Sequence, residues 1–177
     1  MQRQRGVTLV ELIVAIVIIS VGLAGILSAF NVSVKGSADP VMNKQLVSVA
    51  EALLEEVQQA AFTYCDPDDA NAETAVSAAG CATLPEVMGP EAGDARPFDN
   101  VNDYNGLLMA AITDVAGVAV PNLAGYSASI AVAPVALNTI TLASGDALRI
   151  TVTVTAPSAQ VFTLDGYRTR YAPNALP

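Results

Sequence analysis

An α+β fold is predicted for this chain of 177 residues from three features of the sequence. An apolar run near the N-terminus is broken by one acid, an amphipathic stripe with helical spacing follows it, and the last third alternates small or polar residues with Ile, Val and Leu. The expected architecture is a long N-terminal helix, half apolar and half amphipathic, packed on a small antiparallel β-sheet head.

The run from Val7 to Phe30 carries a single charge, Glu11. At about 1.5 Å per residue it is long enough to cross a hydrocarbon core of about 30 Å, so 7–30 is read as a transmembrane segment. Arg3 and Arg5 precede it and a mostly acidic chain follows. The positive-inside rule then places the N-terminus in the cytoplasm and the head on the far side of the membrane. From Val41 the pattern changes: Leu46, Ala50, Leu53, Val57 and Ala60 recur at steps of four and three, with Lys44, Glu51, Glu55 and Glu56 elsewhere around the helix. One helix over 7–62, about 84 Å long, is therefore expected. Gly22 and Gly25 weaken it, and Pro40 removes a backbone donor and predicts a kink.

Residues 63–177 form the expected head. Its first segment, "TYCDPDDANAETAVSAAGC", contains the chain's two cysteines, Cys65 and Cys81. In the oxidising compartment beyond the membrane that pair is most simply a disulfide, worth about 3 kcal/mol in the chain-entropy model. A Pro- and Gly-rich surface passage leads to Gly106–Asp114, read as a short helix or a strand. "YSASIAVAPV", "NTITLAS", "LRITVTVTA" and "QVFTLDGYRTRYA" then read as strands of one antiparallel sheet over about 126–171.

Charge and composition exclude several functions. The net charge is -9 and there is no histidine, so neither a basic footprint for nucleic acid nor imidazole chemistry is available. No nucleophile stands with a base, and there is no phosphate-binding loop, so no enzyme and no cofactor are expected. Asp99, Asn100, Asn102 and Asp103 form an oxygen-rich cluster and are a candidate calcium site, weighed against ordinary turn chemistry. Asp66, Asp68 and Asp69 read as a solvated, helix-capping run. Arg168 and Arg170, with Tyr167 and Tyr171, make a basic-aromatic patch whose two arginines are expected to share a strand face and meet acidic groups.

The basic stretch ending in Gly6, followed by "VTLVE" and the long apolar run, resembles the N-terminus of type IV prepilins and the related pseudopilins. The resemblance implies cleavage between Gly6 and Val7 by prepilin peptidase, which removes the cytoplasmic leader 1–6, and N-methylation of Val7. The first mature residue in that family is usually Phe or Met, and here it is Val. The resemblance also implies that Glu11 guides assembly by meeting a terminal amine. That amine is Val7 of the same helix, four residues away, or Val7 of a neighbouring subunit. The helix 7–30 then passes from the inner membrane into a filament core. The implied partners are other pilin subunits, the peptidase and an inner-membrane assembly platform. "SADPVMNKQLVSVAEALLEEV", "FTYCDPDDANAE", "PFDNVNDYNG" and "GYRTRYAP" look similar to minor prepilins of the mannose-sensitive haemagglutinin pilus systems. A pseudopilin of a secretion or DNA-uptake machine and a signal-anchored periplasmic binding protein are the alternatives.

Overall fold

The computed structural model describes residues 8–176, with side chains described over 8–28 and 40–176. Arg3, Arg5, Gly6 and Val7 lie outside the described residues. Helix α1 runs over Leu9–Gln59, continuous through Gly22, Gly25 and Pro40. The chain divides into two compact units, Met1–Asn43 and Lys44–Pro177.

In the first unit, Leu9–Ser28 has a mean hydropathy of 2.7 and the length to cross a membrane. The isolated chain leaves its side chains uncovered, from 51% exposed at Val14 to 75% at Leu9. The one hydroxyl in its middle is satisfied locally, since Ser20 Oγ donates to the Ile16 carbonyl at 2.7 Å. A medium without water requires this of every polar group.

The second unit is built from the last turns of α1, the loops that follow and a four-stranded antiparallel sheet. Its strands are β1 (Leu108–Met109), β2 (Ser127–Pro134), β3 (Ala147–Thr155) and β4 (Val161–Thr169), in the order β1-β2-β3-β4. All five residues of the amphipathic stripe, Leu46, Ala50, Leu53, Val57 and Ala60, are buried. The strand alternation meets them: Ile130 and Val132 of β2 and Ile150, Val152 and Val154 of β3 are buried, while Thr151 and Thr153 alternate outward along the same strand. Register pairs Ile130 with Val152 and Val152 with Leu164, which aligns the apolar face across three strands.

Gly166 of β4 sets how closely the sheet approaches the helix. A Cβ there would stand 2.6 Å from Leu54 Cδ1 and 2.9 Å from Gln58 Nε2. Gly166→Val is therefore expected to destabilise this unit by about 1–3 kcal/mol through overpacking. A urea titration followed by near-ultraviolet circular dichroism checks it, and an unchanged midpoint would contradict the close approach.

Two expectations are corrected and one open alternative is settled. The helix ends at Gln59 rather than at 62, because Ala61 pairs with another segment instead. Its N–H donates to the Asp99 carbonyl at 3.1 Å, and its carbonyl accepts from Val101 at 2.9 Å. "NTITLAS" is not a strand. Asn138 adopts a left-handed φ of 52°, Leu137 and Ile140 close a tight turn on each other, and Leu142–Ser144 form a 3-10 turn. This segment is the connection between β2 and β3, and it leaves Leu142 exposed. The remaining strand comes from the ambiguous Gly106–Asp114 segment, as the short edge strand β1, with Leu108 opposite Ser129.

Candidate functional site

At the start of α1, Glu11 meets Thr8. Glu11 Oε2 accepts from the Thr8 backbone N–H at 3.0 Å and from Thr8 Oγ1 at 2.9 Å, while Glu11 N donates back to Thr8 Oγ1 at 3.3 Å. This reciprocal arrangement is a capping box: two side chains satisfy N–H groups that the first helical turn leaves without partners. Both contacts to the carboxylate fall on Oε2, so Oε1 accepts nothing among the described residues. Val7, the amine partner implied by the resemblance, lies outside them. Thr8 was missed as a partner, although the Thr-x-x-Glu spacing before an apolar run is the signal for it.

In the head, the Cys65–Cys81 disulfide closes the loop after the helix, with Cα atoms 5.6 Å apart. Asp69 is the hub of that loop, not part of a solvated run. It is 5% exposed. Its Oδ1 accepts from Asn71 and Ala82 at 2.8 and 2.9 Å, and its Oδ2 from Thr83 and Leu84 at 2.7 and 2.8 Å. These backbone donors, Thr83 foremost, hold its carboxyl well below the usual carboxylate range. Asp66 instead caps a local turn, accepting from Asp68 N at 2.6 Å.

The loop from Leu84 to Glu91 is held from two sides. Leu84 O accepts from Asp66 N at 3.0 Å, Glu86 N donates to Tyr64 O at 3.0 Å, and Gly89 N donates to Asn102 O at 3.0 Å. Glu86 and Glu91 are thereby carried to the 3-10 turn Val101–Tyr104. One oxygen each from Glu86, Glu91 and Asp103 lies within 4.8 Å of the others. Asn100 Nδ2 donates to Glu86 Oε2 at 3.0 Å, and Asp103 Oδ2 accepts from Asn100 N at 3.0 Å. Burial, reinforced by the charges of Asp103 and Glu91, pushes the Glu86 carboxyl up to about 9. Asp103 and Glu91 are also raised, each first by burial.

Of the oxygen-rich cluster expected from the sequence, Asn100, Asn102 and Asp103 are buried. Asp99 is half-buried and is not one of the three gathered carboxylates. Glu86 and Glu91 had no signal in their local spacing; only the folding of the loop onto Tyr64 and Asn102 brings them in.

The arginines of the basic-aromatic patch make contacts within the head, while Tyr167 and Tyr171 are exposed. Arg170 lies past the end of β4, its guanidinium 4.1 Å from the Phe62 ring centre and 4.3 Å from that of Tyr64. Its Nε is 3.6 Å from Asp146 Oδ1. Burial lowers its pKa. Arg168 Nη2 donates to the Ala60 carbonyl at 3.2 Å, and its guanidinium lies 4.9 Å from the Tyr171 ring centre. The two arginines therefore hold the end of the helix and the segment beyond it to the sheet, and among the described residues only Arg170 of the two meets an acid.

No curated protein and no solved structure matches the chain. Its first 27 residues match the family model described as the prokaryotic N-terminal methylation motif. The capped turn at Thr8 and Glu11 and most of the exposed apolar segment thus lie within a prokaryotic N-terminal methylation motif.

Proposed function

We propose that the chain is a prepilin, cut between Gly6 and Val7 by prepilin peptidase, N-methylated at Val7 and assembled as a minor subunit into a type IV pilus. The motif match over residues 1–27 carries this reading. The exposed apolar segment Leu9–Ser28 supports it, because such a surface needs lipid before assembly and neighbouring helices afterwards. Before assembly the chain is anchored in the bacterial inner membrane with a periplasmic head. It works as a structural subunit, with other pilins and an assembly platform as its partners, and not as an enzyme.

Glu11 gains a specific role in this reading. The capping box uses Oε2 and leaves Oε1 for a cation. Cleavage creates such a cation at Val7, and an acid in a low-dielectric surrounding is far less costly when paired. In the filament the amine is that of the neighbouring subunit, which sets the register of each new entrant. The resemblance of "FTYCDPDDANAE" and "GYRTRYAP" to minor prepilins of the mannose-sensitive haemagglutinin pilus supports that system as its home.

Intact-mass measurement on protein from peptidase-positive cells tests the proposal. The expected chain begins at Val7 and carries one added methyl group, and deletion of the peptidase restores the six-residue leader. A chain from peptidase-positive cells that still begins at Met1 or Gln2 would overturn it.

A further inference from the structure

β4 stands last in the order β1-β2-β3-β4 and pairs with β3 residue for residue over its nine positions, without a bulge. At its two ends, Ala156 N donates to the Gln160 carbonyl at 2.8 Å and Arg170 N to the Asp146 carbonyl at 2.9 Å. Hydrogen-bonded pairs alternate along an antiparallel ladder, so between those points Phe162, Leu164, Gly166 and Arg168 turn their backbone groups toward β3. Val161, Thr163, Asp165 and Tyr167 turn theirs outward, and among the described residues nothing pairs with those outward backbone groups. The opposite edge is protected, since β1 has two residues and β2 ends in Pro134. Edge strands are ordinarily blunted by proline, lysine, a bulge or short length. The sequence VFTLDGYRT of β4 uses none of these.

A strand of the same sequence fits that edge. Laid antiparallel about Leu164, it sets Thr163 opposite Asp165 of the second copy and Val161 opposite Tyr167, each pair occurring twice. All four residues carry outward backbone groups, so every outward N–H and carbonyl from Val161 to Tyr167 gains a partner. The head already uses the central pair: Thr151 Oγ1 donates to Asp165 Oδ1 at 2.6 Å, which leaves Oδ2 for Thr163 of the copy. Val161 and Tyr167, 56% and 50% exposed, become β-branched and aromatic pairs. On the helix side, Phe162 of one copy covers Gly166 of the other, an aromatic ring over a residue without a side chain. The neighbouring registers fit less well. Sliding two residues one way shortens the run, because Ala159 has a left-handed φ of 64° and lies outside the strand. Sliding the other way sets Asp165 against Asp165 of the copy, and like charges directly opposite are destabilising.

We propose that two copies of the chain join through β4, antiparallel about Leu164, into one continuous sheet with four strands from each copy. The twofold axis of such a pair stands normal to the sheet, so residues 44–59 of α1 run in opposite senses in the two copies. The pair therefore links heads that face one another, not neighbours standing side by side in one membrane. It concerns the head alone and does not depend on cleavage at Gly6.

The test uses full-length protein in detergent carrying Leu164→Cys. Both native cysteines are held in the Cys65–Cys81 disulfide, so the added thiol is free to report on the pair. At the centre of the register the two Cα atoms of residue 164 stand about 4.5 Å apart, within reach of a disulfide. Those of residue 162 are offset by about 13 Å along the strands and are out of reach. Mild oxidation, read on a non-reducing gel, should link Leu164→Cys into dimers at least about fivefold more than Phe162→Cys. Thr163→Glu changes an exposed position and faces Asp165 of the copy with a like charge. It should keep the near-ultraviolet circular dichroism of the head and cut the Leu164→Cys dimer at least about fivefold. Adding Asp165→Lys makes each of those pairs opposite in charge and should restore the dimer. The proposal is overturned if Leu164→Cys links no more than Phe162→Cys, if Thr163→Glu leaves the linkage unchanged, or if Asp165→Lys fails to restore it.

Discussion

Glu56→Ala is expected to destabilise the unit Lys44–Pro177 by about 3–5 kcal/mol, the range for removing one partner of a buried ion pair. Arg96 Nη2 stands 2.5 Å from Glu56 Oε2, and the two side chains are 13% and 15% exposed. Arg96 Nε reaches Glu56 Oε1 at 2.6 Å, so the contact is a two-pronged fork. The Tyr104 hydroxyl donates to the same carboxylate at 3.1 Å, and Arg96 Nη1 donates to the Thr113 carbonyl at 2.9 Å. One acid on the helix thereby gathers the loop before the 3-10 turn, the turn itself and the segment after β1. Its loss leaves a guanidinium largely buried with carbonyls and one hydroxyl as its partners. The double variant Glu56→Met with Arg96→Leu should recover much of the loss, because an apolar pair of similar volume escapes the desolvation cost. Urea midpoints of the two single variants and the double variant check this. Additive losses would show that the pair is not coupled.

Asp69→Asn is expected to cost about 3 kcal/mol at neutral pH, since hydrogen bonds to a charged acceptor are worth about 1.5–3 kcal/mol each and the amide would turn an NH2 group toward backbone donors. The pH dependence identifies the cause. The folded-state pKa of Asp69 is depressed below its unfolded value. Its contribution is therefore present above the unfolded value of about 3.9 and is lost as pH falls from there toward the folded value. Below pH about 4 the advantage of the parent over Asp69→Asn should shrink steadily as pH falls. Thermal melts of both proteins from pH 7 to pH 2 read this directly. A gap that stays constant across that range would mean that shape, not charge, is what Asp69 supplies.

The elements that were legible in the sequence are those in which one period continues long enough to decide a face. The stripe Leu46, Ala50, Leu53 and Val57 is buried as its spacing predicts, and β3 follows its alternation from Leu148 to Thr155. The elements that were not legible are decided by partners distant in sequence. "NTITLAS" has strand-forming residues, yet a left-handed Asn138 reverses the chain within it. Ala61 would extend the helix, yet Asp99 and Val101 take its backbone groups.

The sites divide in the same way. Glu11 stood out because a charge in an apolar run is visible without a structure, whereas its partner Thr8 went unread although the capping spacing signals it. Asp69, Glu86 and Glu91 looked like ordinary acids of an acidic chain. Their roles come from the loop closed by Cys65 and Cys81 and from the pairing of Glu86 with Tyr64, which no local pattern encodes.

The apolar stretch of α1 is uncovered on every side, with no face distinctly more exposed than another. A rod of this kind has no seam. Neighbours can approach it from any direction at similar gain, so greasiness alone cannot tell one companion from another. Discrimination is left to features with a direction: the capped acid at one end, and the sculpted, charged surface of the head.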